Sequence, residues 1–345
     1  MKDNIGIMQS NSHTCNATFQ APLLLRNPHV QTLWSRLSKY QPISLLHIET
    51  IRTYDNDFID LAWSHSAAEV KASAAPIVIV FHGLEGSAKS AYVDQLMQAA
   101  CAQQWQAVVM QFRSCSGRMN ATARAYHSGD TQDAVELIQQ LRLRYPERKL
   151  FAAGFSLGGN MLVKLLGEQS HSPLQAAACI SAPLALGPSS ERINRGISRL
   201  YRNHLLNSLK HKTWQKMEAG LITHQVKLSQ RALFSIRTFA EFDHEVTAPL
   251  HGFAGADDYY QKCSGLAFLP AVRTPLLVLH AKDDPFTCDA CIPAPAQIPP
   301  AVRYELQQHD GHVGFYTQLS VHRTGQLQPW LPHKLMHWFK EFSAC

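Results

Sequence analysis

Leu150-Phe151-Ala152-Ala153-Gly154-Phe155-Ser156-Leu157-Gly158-Gly159 is the most informative stretch of the chain. Its first half is a continuous apolar run, the mark of a strand buried on both faces. Its second half turns abruptly into a helical pattern, predicted over Leu157–Gly167. The junction, Gly154-Phe155-Ser156-Leu157-Gly158, fits G-x-S-x-G. That motif puts a serine on a sharp strand-to-helix turn, where the residues two before and two after must be small for the backbones to approach.

On either side of it, further buried strands are predicted at Ile77–Phe81, Ala107–Phe112 and Ala176–Ser181. Helical stretches separate them: one ending near Cys101, and one over Thr131–Leu143 with Asp130 as its candidate N-cap. Leu45–Arg52 and Phe58–Ser64 read as a strand pair around the turn Asp55-Asn56-Asp57. After Pro183 the alternation stops. It resumes with strands at Pro275–His280 and Tyr304–Gln307 and a terminal helix around Pro329–Phe342. Alternating strands and helices predict an α/β fold with a mostly parallel sheet and helices on both faces, and a serine on a strand-to-helix turn of this kind is the signature of the α/β-hydrolase type. Residues 1–345 are expected to form one domain, with residues 187–250 as a helical lid insertion. Within the lid, Ile193, Ile197, Leu200, Tyr201, Leu205 and Leu209 recur at helical spacing.

Composition narrows the function. The 345 residues are 46% hydrophobic and 17% charged, which excludes a disordered chain. No run of about 18 apolar residues is present, so no transmembrane helix is expected. Met1-Lys2-Asp3-Asn4-Ile5-Gly6 lacks an apolar leader, so the expected location is cytoplasmic. The net charge of +6 is uneven. Glu191–Arg237 holds ten basic and two acidic residues, a block suited to a solvated helical face or to peripheral contact with an anionic membrane. No nucleic-acid motif accompanies it. The eight cysteines read as mostly free thiols. Cys288-x-x-Cys291 stands without the second pair that a zinc site needs, so neither a metal nor a cofactor is expected.

A serine hydroxyl needs a base to take its proton and an acid to orient that base. In this fold the chain order is serine, acid, histidine. The acid should follow a late strand, and Asp283-Asp284-Pro285 supplies it. The turn length favours Asp284 over Asp283. The base should lie after the last strand, where His312 stands between Gly311 and Val313-Gly314 and His309 is the competitor. Two N–H groups should hold the developing oxyanion: that of Leu157 behind the nucleophile and that of Leu84 in His82-Gly83-Leu84-Glu85-Gly86. His82 is read as a buttress of that loop.

At these residues the chain resembles the YheT-like esterases of bacteria, a branch of the α/β-hydrolase superfamily. Their eukaryotic relatives include ethanol O-acyltransferases, medium-chain esterases and phospholipase-like membrane-associated hydrolases. The resemblance rests on Arg26–Leu33, His82–Ser87, Ala125–Asp130, Gly154–Asn160, Glu241–Asp243, Asp258–Tyr260, Asp283–Phe286 and Gly311–Phe315. The family usually has Arg-Gly-x-Ser-Gly where this chain has Arg113-Ser114-Cys115-Ser116-Gly117, and Gly-Gly-His where it has Asp310-Gly311-His312. The resemblance implies Ser156, Asp284 and His312 as the charge-relay residues and a medium-chain acyl ester or lipid-like substrate. Hydrolysis, acyl transfer to an alcohol, and a catalytically silent binding role all remain compatible with the sequence, as does any oligomeric state.

Overall fold

The computed structural model describes residues 19–37, 42–43, 45–318 and 327–343. The Met1–Gly6 stretch read above lies outside them. The central sheet is built from β1 (His47–Arg52), β2 (Phe58–Trp63), β3 (Ile77–Phe81), β4 (Gln106–Gln111), β5 (Leu150–Phe155), β6 (Leu174–Ile180), β7 (Leu276–Ala281) and β8 (Val302–Gln307). Their spatial order is β1-β2-β4-β3-β5-β6-β7-β8. β1 and β2 are antiparallel, β2 meets β4 antiparallel, and the pairs from β4 to β8 are parallel.

Helices α1 (Pro28–Leu37), α2 (Ala67–Ala72), α3 (Ala91–Ala102), α4 (Gln132–Arg144) and α5 (Leu157–Glu168) precede β6, with α5 following β5 directly. Between β6 and β7 the chain runs through α6 (Leu186–Arg192), α7 (Ser198–Glu218), α8 (Gln230–Ser235), α9 (Phe239–Phe242), α10 (Ala248–His251) and α11 (Ala256–Cys263). The chain closes with α12 (Trp330–Glu341).

One strand shows how the layers form. In β3 every residue is buried. Ile77, Ile79 and Phe81 join one core with Leu137 and Leu141 of α4 and Met161 and Leu162 of α5. Val78 and Val80 point the other way, into a core with Leu96 and Met97 of α3 and Leu335 and Phe339 of α12. The two-residue period of a strand thus feeds two helical layers.

The structure differs from the sequence expectation in two places. Asp130 does not cap α4. The N-cap is Thr131, without a side-chain cap bond, and Asp130 pairs with Arg124 instead. The apolar series from Ile193 to Leu209 is not one buried stripe. Gly196 takes φ +56° between α6 and α7, and Ile197 and Leu200 are 54% and 68% exposed. The departure from the family pattern at Ser114 also has a physical reading: this residue adopts φ +63°, a conformation that suits the glycine usual there. Arg113 beside it is fully buried and gathers Asp55, Asp57 and Asp133, tying the end of β4 to the β1–β2 turn and to α4.

Candidate active site

The loops that carry the candidate residues all leave the C-terminal ends of parallel strands, where open α/β sheets bind their ligands. Ser156 follows β5 with φ 51° and ψ −117°, and its N–H donates to the Ile180 carbonyl at 2.8 Å. The flanking glycines are needed sterically. A β-carbon at Gly154 would stand 2.5 Å from the Gly158 carbonyl oxygen, and one at Gly158 would stand 2.5 Å from the Phe81 and His82 oxygens. Ordered carbon–oxygen contacts do not come that close, so bulk at either site would force the turn open.

Asp284 follows β7 and is almost fully buried. Its two carboxylate oxygens lie 2.9 and 3.1 Å from His312 Nδ1, and Oδ1 also accepts the Phe286 N–H at 2.7 Å. Phe286 stacks on the imidazole with centroids 4.1 Å apart. The neighbouring Asp283 shapes the histidine loop instead. Its Oδ1 accepts the N–H groups of Asp310 and Gly311 at 2.9 and 3.0 Å. His309, half-exposed, lies 3.5 Å from Asp283.

Ser156 and His312 line the same cavity of about 650 Å³. No hydrogen bond joins the hydroxyl to the imidazole among the described residues. Catalytic hydrogen bonds are often long in ligand-free enzymes and tighten when substrate binds.

The loop after β3 presents its amides selectively. The N–H of Gly83 donates to Tyr92 Oη at 2.9 Å, that of Glu85 to Tyr126 Oη at 2.9 Å, and that of Gly86 to the Gly83 carbonyl at 3.0 Å. Among the described residues the Leu84 N–H has no such partner, nor has that of Leu157 in the first turn of α5. Both residues line the cavity beside Ser156. His82 is sealed beneath this loop. Its Nδ1–H donates to the Gly83 carbonyl at 2.8 Å and its Nε2 accepts the Phe112 N–H at 3.1 Å. Burial pushes its pKa down to about 4, so it stays neutral and structural near neutral pH.

Several supporting residues carried no physical account in the sequence. Helix α1 braces the histidine loop: Thr32 Oγ1 accepts the His312 N–H at 2.9 Å, and buried Gln31 bonds both the N–H and the carbonyl of Tyr316 at 3.3 Å. Gly311 takes φ +66° with Pro28 packed against the face a β-carbon would occupy. The aspartate at 310 is buried and accepts the Phe315 N–H, closing the same loop from inside. On the other side, Asn160 Nδ2 donates to Ser128 and to the Cys263 carbonyl, and the Ser128 N–H donates to Tyr259 Oη at 3.0 Å. These bonds join segments far apart along the chain, so only the residue types were visible beforehand.

The apolar lining comes largely from the segment above the sheet: Leu186, Ile193, Leu205, Leu209, Phe239 and Phe242. Asp243 also faces the cavity, accepting from Tyr260 Oη and Thr247 Oγ1 at 2.7 Å each. Burial pushes its carboxyl up to about 6.

Comparison with known proteins agrees with this architecture. The alpha/beta hydrolase fold family matches residues 76–319. The chain is 40% identical to the candidate esterase YheT of Escherichia coli, over 97% of this chain and 98% of that protein. It is 30% identical to phospholipase ABHD3 of Mus musculus, over 83% of this chain and 70% of the relative. It is 29% identical to a monoacylglycerol lipase of Saccharomyces cerevisiae, over 78% of this chain and 60% of the lipase. Among solved structures, the Pyrococcus furiosus esterase Pf2001 superposes with a TM-score of 0.55 at 15% identity, covering 88% of this chain and 95% of that one; this last likeness speaks for the fold alone. The chain belongs to the α/β-hydrolase family, in its YheT-like branch.

Proposed function

We propose that the chain is a serine hydrolase of carboxylic esters, acting through an acyl-enzyme on Ser156. The observation that carries this reading is the bond from His312 to Asp284 at the edge of the cavity that also holds Ser156 on its strained turn. His312 Nε2 takes the hydroxyl proton as Ser156 Oγ attacks the ester carbonyl, and Asp284 holds the ring with Nε2 toward the serine. The N–H groups of Leu84 and Leu157 stabilise the oxyanion of the tetrahedral intermediate. As the carbon–oxygen bond to the alcohol breaks, His312 returns the proton to the leaving alkoxide. Water then attacks the acyl-enzyme, His312 takes its proton and hands it back to Ser156, and the carboxylic acid departs.

A largely apolar cavity of about 650 Å³ suits a medium-chain or lipid-like acyl group. The helical insertion over residues 187–250 acts in this reading as a lid, since Ile193, Leu205, Leu209, Phe239 and Phe242 roof the cavity. The mouse and yeast relatives are named as a phospholipase and a monoacylglycerol lipase, which supports a lipid-like ester, and the bacterial relative is named as an esterase.

A panel of p-nitrophenyl esters of graded chain length tests the proposal, with Ser156→Ala as control. Turnover that peaks at intermediate chain length and vanishes in the variant is expected; equal turnover by the variant contradicts it. Product analysis with ethanol present separates hydrolysis from acyl transfer, since only the latter yields an ethyl ester.

A further inference from the structure

The lip of the cavity carries a surface that the proposed chemistry does not use. At the break between α6 and α7 the exposed side chains of Ile197 and Leu200 stand in solvent. They belong to the entrance: Ile197 lies one helical turn before Tyr201, and Leu200 one turn before His204, and Tyr201 and His204 line the cavity. On the facing lip, Leu33 of α1 lines the cavity while remaining 36% exposed. The two lips meet where His29 stacks on Tyr201, centroids 5.9 Å apart.

Around Ile197 and Leu200 stand Arg192, Arg195, Arg199 and Arg202. Where their guanidinium groups bond to the protein, the acceptors are neutral. Arg192 donates to Ser198 Oγ at 3.4 Å, Arg199 to the Gly196 carbonyl at 3.2 Å, and Arg202 to Asn194 and Asn203. Among the described residues none of the four meets a carboxylate, whereas Arg113, Arg118, Arg124 and Arg144 all do. The sequence explains the difference, since no acidic residue occurs between Glu191 and Glu218. Exposed aliphatic side chains ringed by unneutralised guanidinium groups match one surface chemically. An anionic bilayer takes the aliphatic groups into its acyl boundary and the guanidinium groups onto its phosphates. A nucleic acid would use the arginines and leave Ile197 and Leu200 without a role.

We propose that this lip docks the protein on the surface of an anionic phospholipid membrane and seats the cavity mouth against the bilayer. The docking rests on the surface alone; the lipid-ester reading gives it a use. Co-sedimentation of the full chain with vesicles of phosphatidylcholine, alone or mixed with phosphatidylglycerol, tests it. Two double variants, Arg195→Glu with Arg199→Glu and Ile197→Ser with Leu200→Ser, complete the set. The wild type is expected to sediment with the anionic vesicles, to be released by high salt, and to stay in solution with phosphatidylcholine alone. Each double variant is expected to bind the anionic vesicles about tenfold more weakly or worse. Turnover of a soluble short-chain ester should be unchanged in both, which shows that they fold and keeps this test separate from that of the hydrolase reading. Absence of wild-type sedimentation with anionic vesicles overturns the proposal. So does full binding by either variant, or displacement by duplex DNA with the Ile197/Leu200 variant unaffected, which marks a general polyanion surface.

Discussion

The Lys212 ammonium lies 2.9 Å from the carboxylate of Glu85, joining the helix above the cavity to the loop that holds Leu84. Glu85 has φ +56°, its carboxylate is nearly sealed from solvent, and it also accepts from Tyr126 Oη at 2.7 Å and from Ser208 Oγ of α7. The residue next to the proposed oxyanion donor is thus fixed from two directions, one of them α7 itself.

Removing the cation should therefore loosen the loop rather than empty the cavity. Lys212→Met is expected to lower kcat between about tenfold and a hundredfold with KM little changed, because small displacements of a transition-state donor are costly. Lys212→Arg should restore most of the rate. Steady-state kinetics on one soluble ester decides it; an effect confined to KM would assign Lys212 to substrate binding.

The adjacent aspartates separate orientation of the proposed base, His312, from shaping of its loop. Asp284→Asn takes the charge from beside His312 Nδ1 and should reduce kcat by about 10³-fold or more. Asp283→Asn keeps an oxygen able to accept the Asp310 and Gly311 N–H groups and should cost about 1 kcal/mol of stability with a small loss of rate. Kinetics and urea unfolding of both variants measure this, and the reverse ranking of rates shifts the acid by one residue.

What was legible in the chain, and what was not, follows from the range of the interactions. Ile77–Phe81 and Leu150–Phe155 could be bounded as strands because burial on both faces makes each an unbroken apolar run. Gly154 to Gly158 could be read as a turn because its steric demand is contained in five residues. Ile197 and Leu200 misled the periodicity. Leu200 shares α7 with Leu205 but lies five residues before it, which places it off the face that Leu205 and Leu209 turn to the cavity. Ile197 stands outside the helix, next to the left-handed Gly196. Gln31, Thr32, Tyr92 and Tyr126 gave no local sign of what they hold. Each bonds a loop or strand outside its own element, and no spacing rule reaches that far.

Acid should weaken the fold in a defined window. Burial lowers the pKa of His82 and His280 to about 4 and that of His127 to about 3. The unfolded chain takes up these protons near pH 6.5, but the native state refuses them until the pH is far lower. Unfolding therefore binds protons between about pH 6.5 and 4, and stability falls as the pH drops through that range. The urea midpoint is expected to be lower at pH 5 than at pH 7, and His280→Asn should shrink the difference. A midpoint that rises on acidification would contradict these burials.

Activation of the Ser156 hydroxyl by His312 underlies every catalytic step proposed above. Labelling the folded protein with a fluorophosphonate and locating the adduct by peptide mass is its sharpest test. One adduct per chain is expected, on Ser156, absent from Ser156→Ala and formed far more slowly in His312→Gln. Failure of the folded wild type to react, or an adduct that persists in Ser156→Ala, would refute it.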